Sequence, residues 1–146
     1  MINIENGSIK VNERNYIITR NMTKDDFFAS PLYDDIVFKQ EFQNGYSNYI
    51  LKKQQYVGEK YLYGIGLYFN PSNKLYSIHL NIVFEDDTGN WDNWSQDKEL
   101  YRKKIHDNFL KKYCGEVPHN YTWGSLSSEY DERSGGSCIC IVYNQN

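Results

Sequence analysis

"EKYLYGIGLYFNPSNKLYSIHLNIVFE", residues 59–85, decides the fold. Its centre, "NPSN" at 70–73, is turn chemistry between two runs of β-branched and aromatic residues. Closing that turn with a two- or a four-residue loop pairs Leu67 with Tyr76, Ile65 with Ile78, Tyr63 with Leu80 and Tyr61 with Ile82. Strand side chains alternate, so all eight then share one face. A three-residue loop breaks the match. The other face sets Leu62, Gly64, Gly66 and Tyr68 against Asn81, His79, Ser77 and Leu75. Glycine inside a strand marks a bulge or a close approach. That thin face reads either as solvent-facing or as a shallow groove around His79.

Upstream, "INI" and "SIKVN" flank the turn "ENGS" as two short strands, and "TKDDFFAS" at 23–30 predicts a short helix. Thr23 is its N-cap, with Asp25 and Asp26 suiting the positive end of the helix dipole and Pro31 closing it. "IVFKQEF" at 36–42 fits strand or helix, and "YSNYILKK" at 46–53 fits a strand. Downstream, the spacing predicts a helix over 95–114 with Ser95 as N-cap and Gly115 just past its end. Tyr101, Ile105, Phe109 and Tyr113 recur every four residues and predict its buried stripe. Pro118 then bars a restart. The last segment, 121–143, reads as a hairpin turning through "DERSGG".

Hairpins without a strand–helix alternation argue against a parallel sheet. The expectation is a single α+β domain over residues 1–146, an antiparallel sheet of hairpins with the 95–114 helix packed on one face. A chain of 146 residues buries enough surface to fold without a staple. The net charge of −3, from 19 acids against 16 Lys and Arg, argues against a nucleic-acid-binding domain. The first residues lack signal-peptide character, and no apolar run matches a membrane span. Three cysteines then read as reduced thiols in a cytoplasm.

Motifs for chemistry are sparse. No calcium loop fits around Gly89, because position 1 would fall on Phe84. Cys138 and Cys140 share a strand face, and with Cys114 and His119 could supply a tetrahedral set for zinc, but C-x-C is not the usual knuckle spacing. A Cys138–Cys140 disulfide is disfavoured, because same-face neighbours stand far apart. The expectation is no metal and no cofactor. No nucleophile elbow, P-loop or dinucleotide fingerprint is present. Convergence of His79, His106 and His119, with Arg102 or Arg133, is what a small nuclease-type enzyme would need.

Residues 84–100, "FEDDTGNWDNWSQDKEL", hold more acid than a helix cap requires. Glu85, Asp86, Asp87 and Asp92 surround Trp91. An aromatic anchor ringed by carboxylates suits a basic protein surface, the ring carrying contact energy and the charges steering encounter. These five residues are the candidate partner-binding site.

"WDNWSQDKELYRKKIHDNFLKK" and "YTWGSLSSEYDERSGGSCICIVY", roughly the second half of the chain, resemble small bacterial immunity proteins of polymorphic or contact-dependent toxin systems. The resemblance implies a small acidic cytoplasmic protein, monomeric without its partner, that binds a cognate toxin domain and blocks its active site. It transfers no contact residue. The expected function is therefore non-catalytic toxin neutralisation, without nucleic-acid or membrane partners. A nuclease-type enzyme or toxin domain with converging histidines is one alternative. A small-ligand-binding sheet built on Gly64, Gly66 and His79 is the other.

Overall fold

The computed structural model describes residues 1–11, 14–56, 58–87, 93–116 and 119–145. Among these the chain is a single α+β domain with two antiparallel sheets. Strands β1 (Ile2–Asn3), β2 (Ser8–Val11) and β3 (Tyr16–Ile18) form a small meander. Helix α1 (Lys24–Ala29) and a 3₁₀ turn (Pro31–Asp35) lead to β4 (Ile36–Glu41), β5 (Ser47–Gln55), β6 (Leu62–Phe69) and β7 (Leu75–Val83). Helix α2 (Gln96–Cys114) follows, then β8 (Asn120–Tyr121), β9 (Gly124–Asp131) and β10 (Gly136–Tyr143). The large sheet runs β4-β5-β6-β7-β10-β9-β8. The closing hairpin therefore joins the central one through β7 and β10.

Local chemistry accounts for most boundaries. Thr23 and Asp26 form a reciprocal capping box that opens α1. Pro31 does not simply end that helix; it sits in the first turn of the 3₁₀ segment, where its missing N–H costs nothing. Residues 36–41 are strand. Ser95 caps α2 by accepting the Lys98 amide, and Gly115 at φ 80° ends it.

The β6–β7 hairpin keeps the expected faces and changes the register. Leu67 pairs with Ile78, Ile65 with Leu80 and Tyr63 with Ile82. Tyr68 pairs with Ser77 and Phe69 with Leu75, so Tyr76 is the extra residue of a bulge. The loop between Phe69 and Leu75 is five residues long, one more than the four-residue closure, and the bulge absorbs one more, so every pair beyond it shifts by two and the apolar face is preserved. That face is the core: Tyr63, Ile65, Leu67, Ile78, Leu80, Ile82, Ile139 and Ile141 are all buried. Each such side chain contributes about 1.5–3 kcal/mol by leaving water. The β1–β3 meander caps one end of the core. Trp123 lies beneath Gly7 and donates to the Ile4 carbonyl at 2.8 Å, while the Tyr143 hydroxyl donates to the Gly7 carbonyl at 2.7 Å.

Helix α2 packs against β9, β10 and the end of β7 through only half of the expected stripe, Phe109 being buried and Ile105 partly buried against the core. Tyr101 and Tyr113 are exposed, and the buried positions are Glu99, Arg102, His106, Phe109 and Leu110. The reason lies in the sheet. The β7–β10 ladder stops at the pair Leu80–Ile139. Continued, it would oppose Asn81 to Cys138 and then Ile82 to Ser137. The strands part there, and α2 fills the gap with polar side chains.

Candidate functional site

The gap is closed bond by bond. Arg102 Nη1 donates to the Ile82 carbonyl, and the Ile82 amide donates to His106 Nε2 at 3.0 Å. Across the gap, the Ser137 amide donates to Glu99 Oε2 at 3.2 Å and its hydroxyl to the Glu99 carbonyl at 2.7 Å. Three side chains at i, i+3 and i+7 thus stand in for a missing strand pair, satisfying the Ile82 amide, the Ile82 carbonyl and the Ser137 amide. Arg102 Nε also pairs with Glu99 at 3.1 Å, and its guanidinium lies 4.6 Å over the Phe84 ring.

Asp87 belongs to this network. Its carboxylate takes both Arg102 terminal nitrogens at 2.9 Å, Lys98 at 2.9 Å and the Phe84 amide at 2.7 Å. Burial alone would raise its carboxyl; the bonds from Arg102, Lys98 and Phe84 outweigh it and hold Asp87 well below the usual carboxylate range. Of the proposed docking acids, Asp87 therefore faces inward and is spent on Arg102. Asp86 is different. Its side chain is 67% exposed and pairs with Lys98 at 3.0 Å. Glu85 is also exposed. Trp91 and Asp92 lie outside the described residues. Trp94 is 41% exposed, yet its indole covers Gly135 and donates to that residue's carbonyl at 2.7 Å, strapping the start of α2 to the β9–β10 turn.

Glu85 and Asp86 rim an open aromatic groove. Phe84 stacks on Tyr101 at 6.0 Å between centroids and meets Tyr61 edge-on at 5.7 Å. Leu62 and Tyr101 complete the lining, and both are exposed. Lys53, Lys60 and Lys98 reach the same groove, so its charge is mixed.

The histidines do not gather in one cleft. Burial, and then the neighbouring Arg102 charge, pulls the His106 imidazole down to about 4. With Nε2 accepting from Ile82, the neutral ring carries its proton on Nδ1, a buried atom without a hydrogen-bond partner among the described residues. His106 and Arg102 do meet, but on a backbone peptide. His119 Nε2 bonds the Gly115 carbonyl at 2.7 Å, bracing the turn after α2.

His79 stands on the other face of the sheet, over the glycines. Tyr68 lies on its ring at 4.2 Å. At Gly64 a Cβ would meet Asn81 Oδ1 at 2.6 Å, and at Gly66 it would meet Ile50 Cδ1 at 3.0 Å. The glycines therefore let neighbouring side chains lie flat along a groove of about 510 Å³. His79 is the register partner of Cys140, and Cys138 stands two residues along β10. The two sulfurs are 3.0 Å apart as free thiols. The bond from Cys140 lowers the Cys138 thiol below its ordinary value, and the same bond, with burial, raises Cys140. The zinc set considered from the sequence, and not expected to form, joined these cysteines to Cys114 and His119. Among the described residues they cluster instead with His79.

Comparison with known protein families, curated proteins and solved structures finds no match. No helix among the described residues is long and apolar enough to cross a membrane.

Proposed function

We propose that this chain is a non-catalytic binding protein, an immunity protein that neutralises a cognate bacterial toxin domain in the cytoplasm. The observation that carries the reading is the groove of Tyr61, Leu62, Phe84 and Tyr101 beside the exposed carboxylates of Glu85 and Asp86. Exposed rings supply contact area at little entropic cost, and acids at the rim steer a basic partner. The Asp86–Lys98 pair does not oppose this. An exposed ion pair contributes about 0–1 kcal/mol, so a partner's Arg or Lys displaces Lys98 cheaply.

Asp87 has a different task in this reading. It fixes Arg102, and through it the 84–87 turn, so that Glu85 and Asp86 are presented on a rigid support. Preorganisation of this kind lowers the entropy lost on docking.

The test is coexpression of the full chain with the toxin domain encoded beside it. Rescue of the host and a one-to-one complex on size exclusion are expected. Reversing charge in Glu85→Lys/Asp86→Lys should slow association about tenfold or more and flatten its salt dependence. Failure of the unmodified chain to bind or rescue would remove the reading. A double variant that associates at the unmodified rate would remove this surface from it.

A further inference from the structure

The groove on the opposite sheet face carries a second site, independent of the partner-binding reading. We propose that His79, Cys138 and Cys140 form a binding site for a thiophilic metal ion, Zn(II) by preference, with its fourth coordination position open to the groove.

Three observations converge. First, the donor set is soft and complete enough. Two thiolates and an imidazole are the ligands that select zinc or copper(I) over magnesium or calcium. Among the described residues, these three are the one group of His, Cys, Asp or Glu side chains with ligand atoms all within 4.8 Å of one another. Second, the scaffold is rigid. The ligands come from β7 and β10 in the middle of a seven-stranded sheet, with His79 directly opposite Cys140, and Cys138, one residue past the end of that ladder, paired with Glu129 of β9. Tetrahedral zinc with Zn–S near 2.3 Å sets its sulfurs about 3.8 Å apart. Parting the thiols from 3.0 Å to that spacing requires only small rotations about the two Cα–Cβ bonds. Third, the fourth position is open. The ligands line the groove floor beside Gly66, and Glu129 and Asp131 line its edge, where their charge favours a cation.

A disulfide is the competing fate of the pair. Residues i and i+2 of an extended strand lie about 6.7 Å apart at Cα, the far end of the range a disulfide tolerates. The strand therefore keeps the sulfurs near each other without joining them, the state a metal requires. The Tyr68 ring over His79 holds the imidazole against rotation. A two-cysteine, one-histidine set with an open fourth position is the composition of zinc sites that keep an exchangeable water.

The test uses the full chain, reduced and kept free of oxygen, titrated with Co(II) and then Zn(II). One equivalent of Co(II) should give cobalt–thiolate charge-transfer bands and the intense d–d bands of a tetrahedral site, and Zn(II) should bleach both. Cys138→Ser and Cys140→Ser should each remove about half of the charge-transfer intensity, the share of one of two thiolates. His79→Gln should weaken binding about tenfold or more, the scale on which even outer-shell partners act. Cys114→Ala should leave the spectrum unchanged. Far-UV circular dichroism checks that each variant folds. Absence of cobalt bands in the reduced unmodified chain overturns the proposal without recourse to any variant. So do bands that depend on Cys114 or that survive the double cysteine replacement.

Discussion

The His106 imidazole is fully buried, and its work is done by a lone pair on Nε2. Protonating the ring destroys that acceptor and places a second positive charge beside Arg102. Its folded value of about 4 lies below the unfolded value near 6.5, so the unfolded chain binds the proton first. Stability should be flat above about pH 6.5 and fall by about 1.4 kcal/mol per pH unit between there and pH 4. Urea titrations at several pH values check this. His106→Gln keeps an acceptor for the Ile82 amide and should flatten the loss; equal losses in both proteins would refute the assignment. Arg102→Met leaves Glu99 without its cation, Asp87 with Lys98 alone and the Ile82 carbonyl without a donor. A loss of about 3–5 kcal/mol is expected in chemical denaturation, the scale for breaking a buried pair from one side. Neither role was legible in the sequence. His106 and Arg102 stand one turn apart on a lysine-rich helix, a pattern that ordinarily marks a wet face.

Among the elements, the hairpin and the helix differ in how openly they announce themselves. The apolar alternation of residues 61–82 fixes which side chains turn inward, but two registers that differ by two residues satisfy it equally. A fifth loop residue and the bulge at Tyr76 together separate them, and no turn residue signals either. In α2, capping by Ser95 and Gly115 set the boundaries, while the stripe every four residues was right for Ile105 and Phe109 and wrong for Tyr101 and Tyr113, which are exposed. That stripe assumed an apolar sheet surface; the parted strands present bare amides and carbonyls, which polar side chains satisfy better. The β1–β3 meander depends on one close approach. Gly7 has φ 75°, and a Cβ there would lie 2.6 Å from the Trp123 ring. Gly7→Ala should therefore cost more than about 1 kcal/mol, read as a lower thermal midpoint. Thr23→Ala removes only one cap and should cost about 1 kcal/mol.

At the scale of the whole molecule, the sheet has an exposed end. Strand β4 is an edge, and Val37 and Phe38 on it are 65% and 51% exposed. Unpaired edge strands with apolar side chains invite pairing between copies. Val37→Lys should slow aggregation on heating, followed by light scattering, and leave the unfolding midpoint within about 0.5 kcal/mol of the original. The candidate surfaces show a similar division between local and distant information. Glu85 and Asp86 were readable because their grouping is local. The commitment of Asp87 to Arg102, and the meeting of His79 with Cys138 and Cys140, depend on pairings across 15 residues and about 60 residues of chain. Periodicity carries no trace of such distant partners.

The wedge of α2 between β7 and β10 also guards against slippage. An error of two residues between those strands would still turn every aliphatic side chain inward, so burial alone cannot reject it. It would, however, carry the Ile82 peptide away from Arg102 and His106, and Ser137 away from Glu99. The helix thus works as a vernier on the sheet, admitting the one alignment at which both strands meet its three polar teeth.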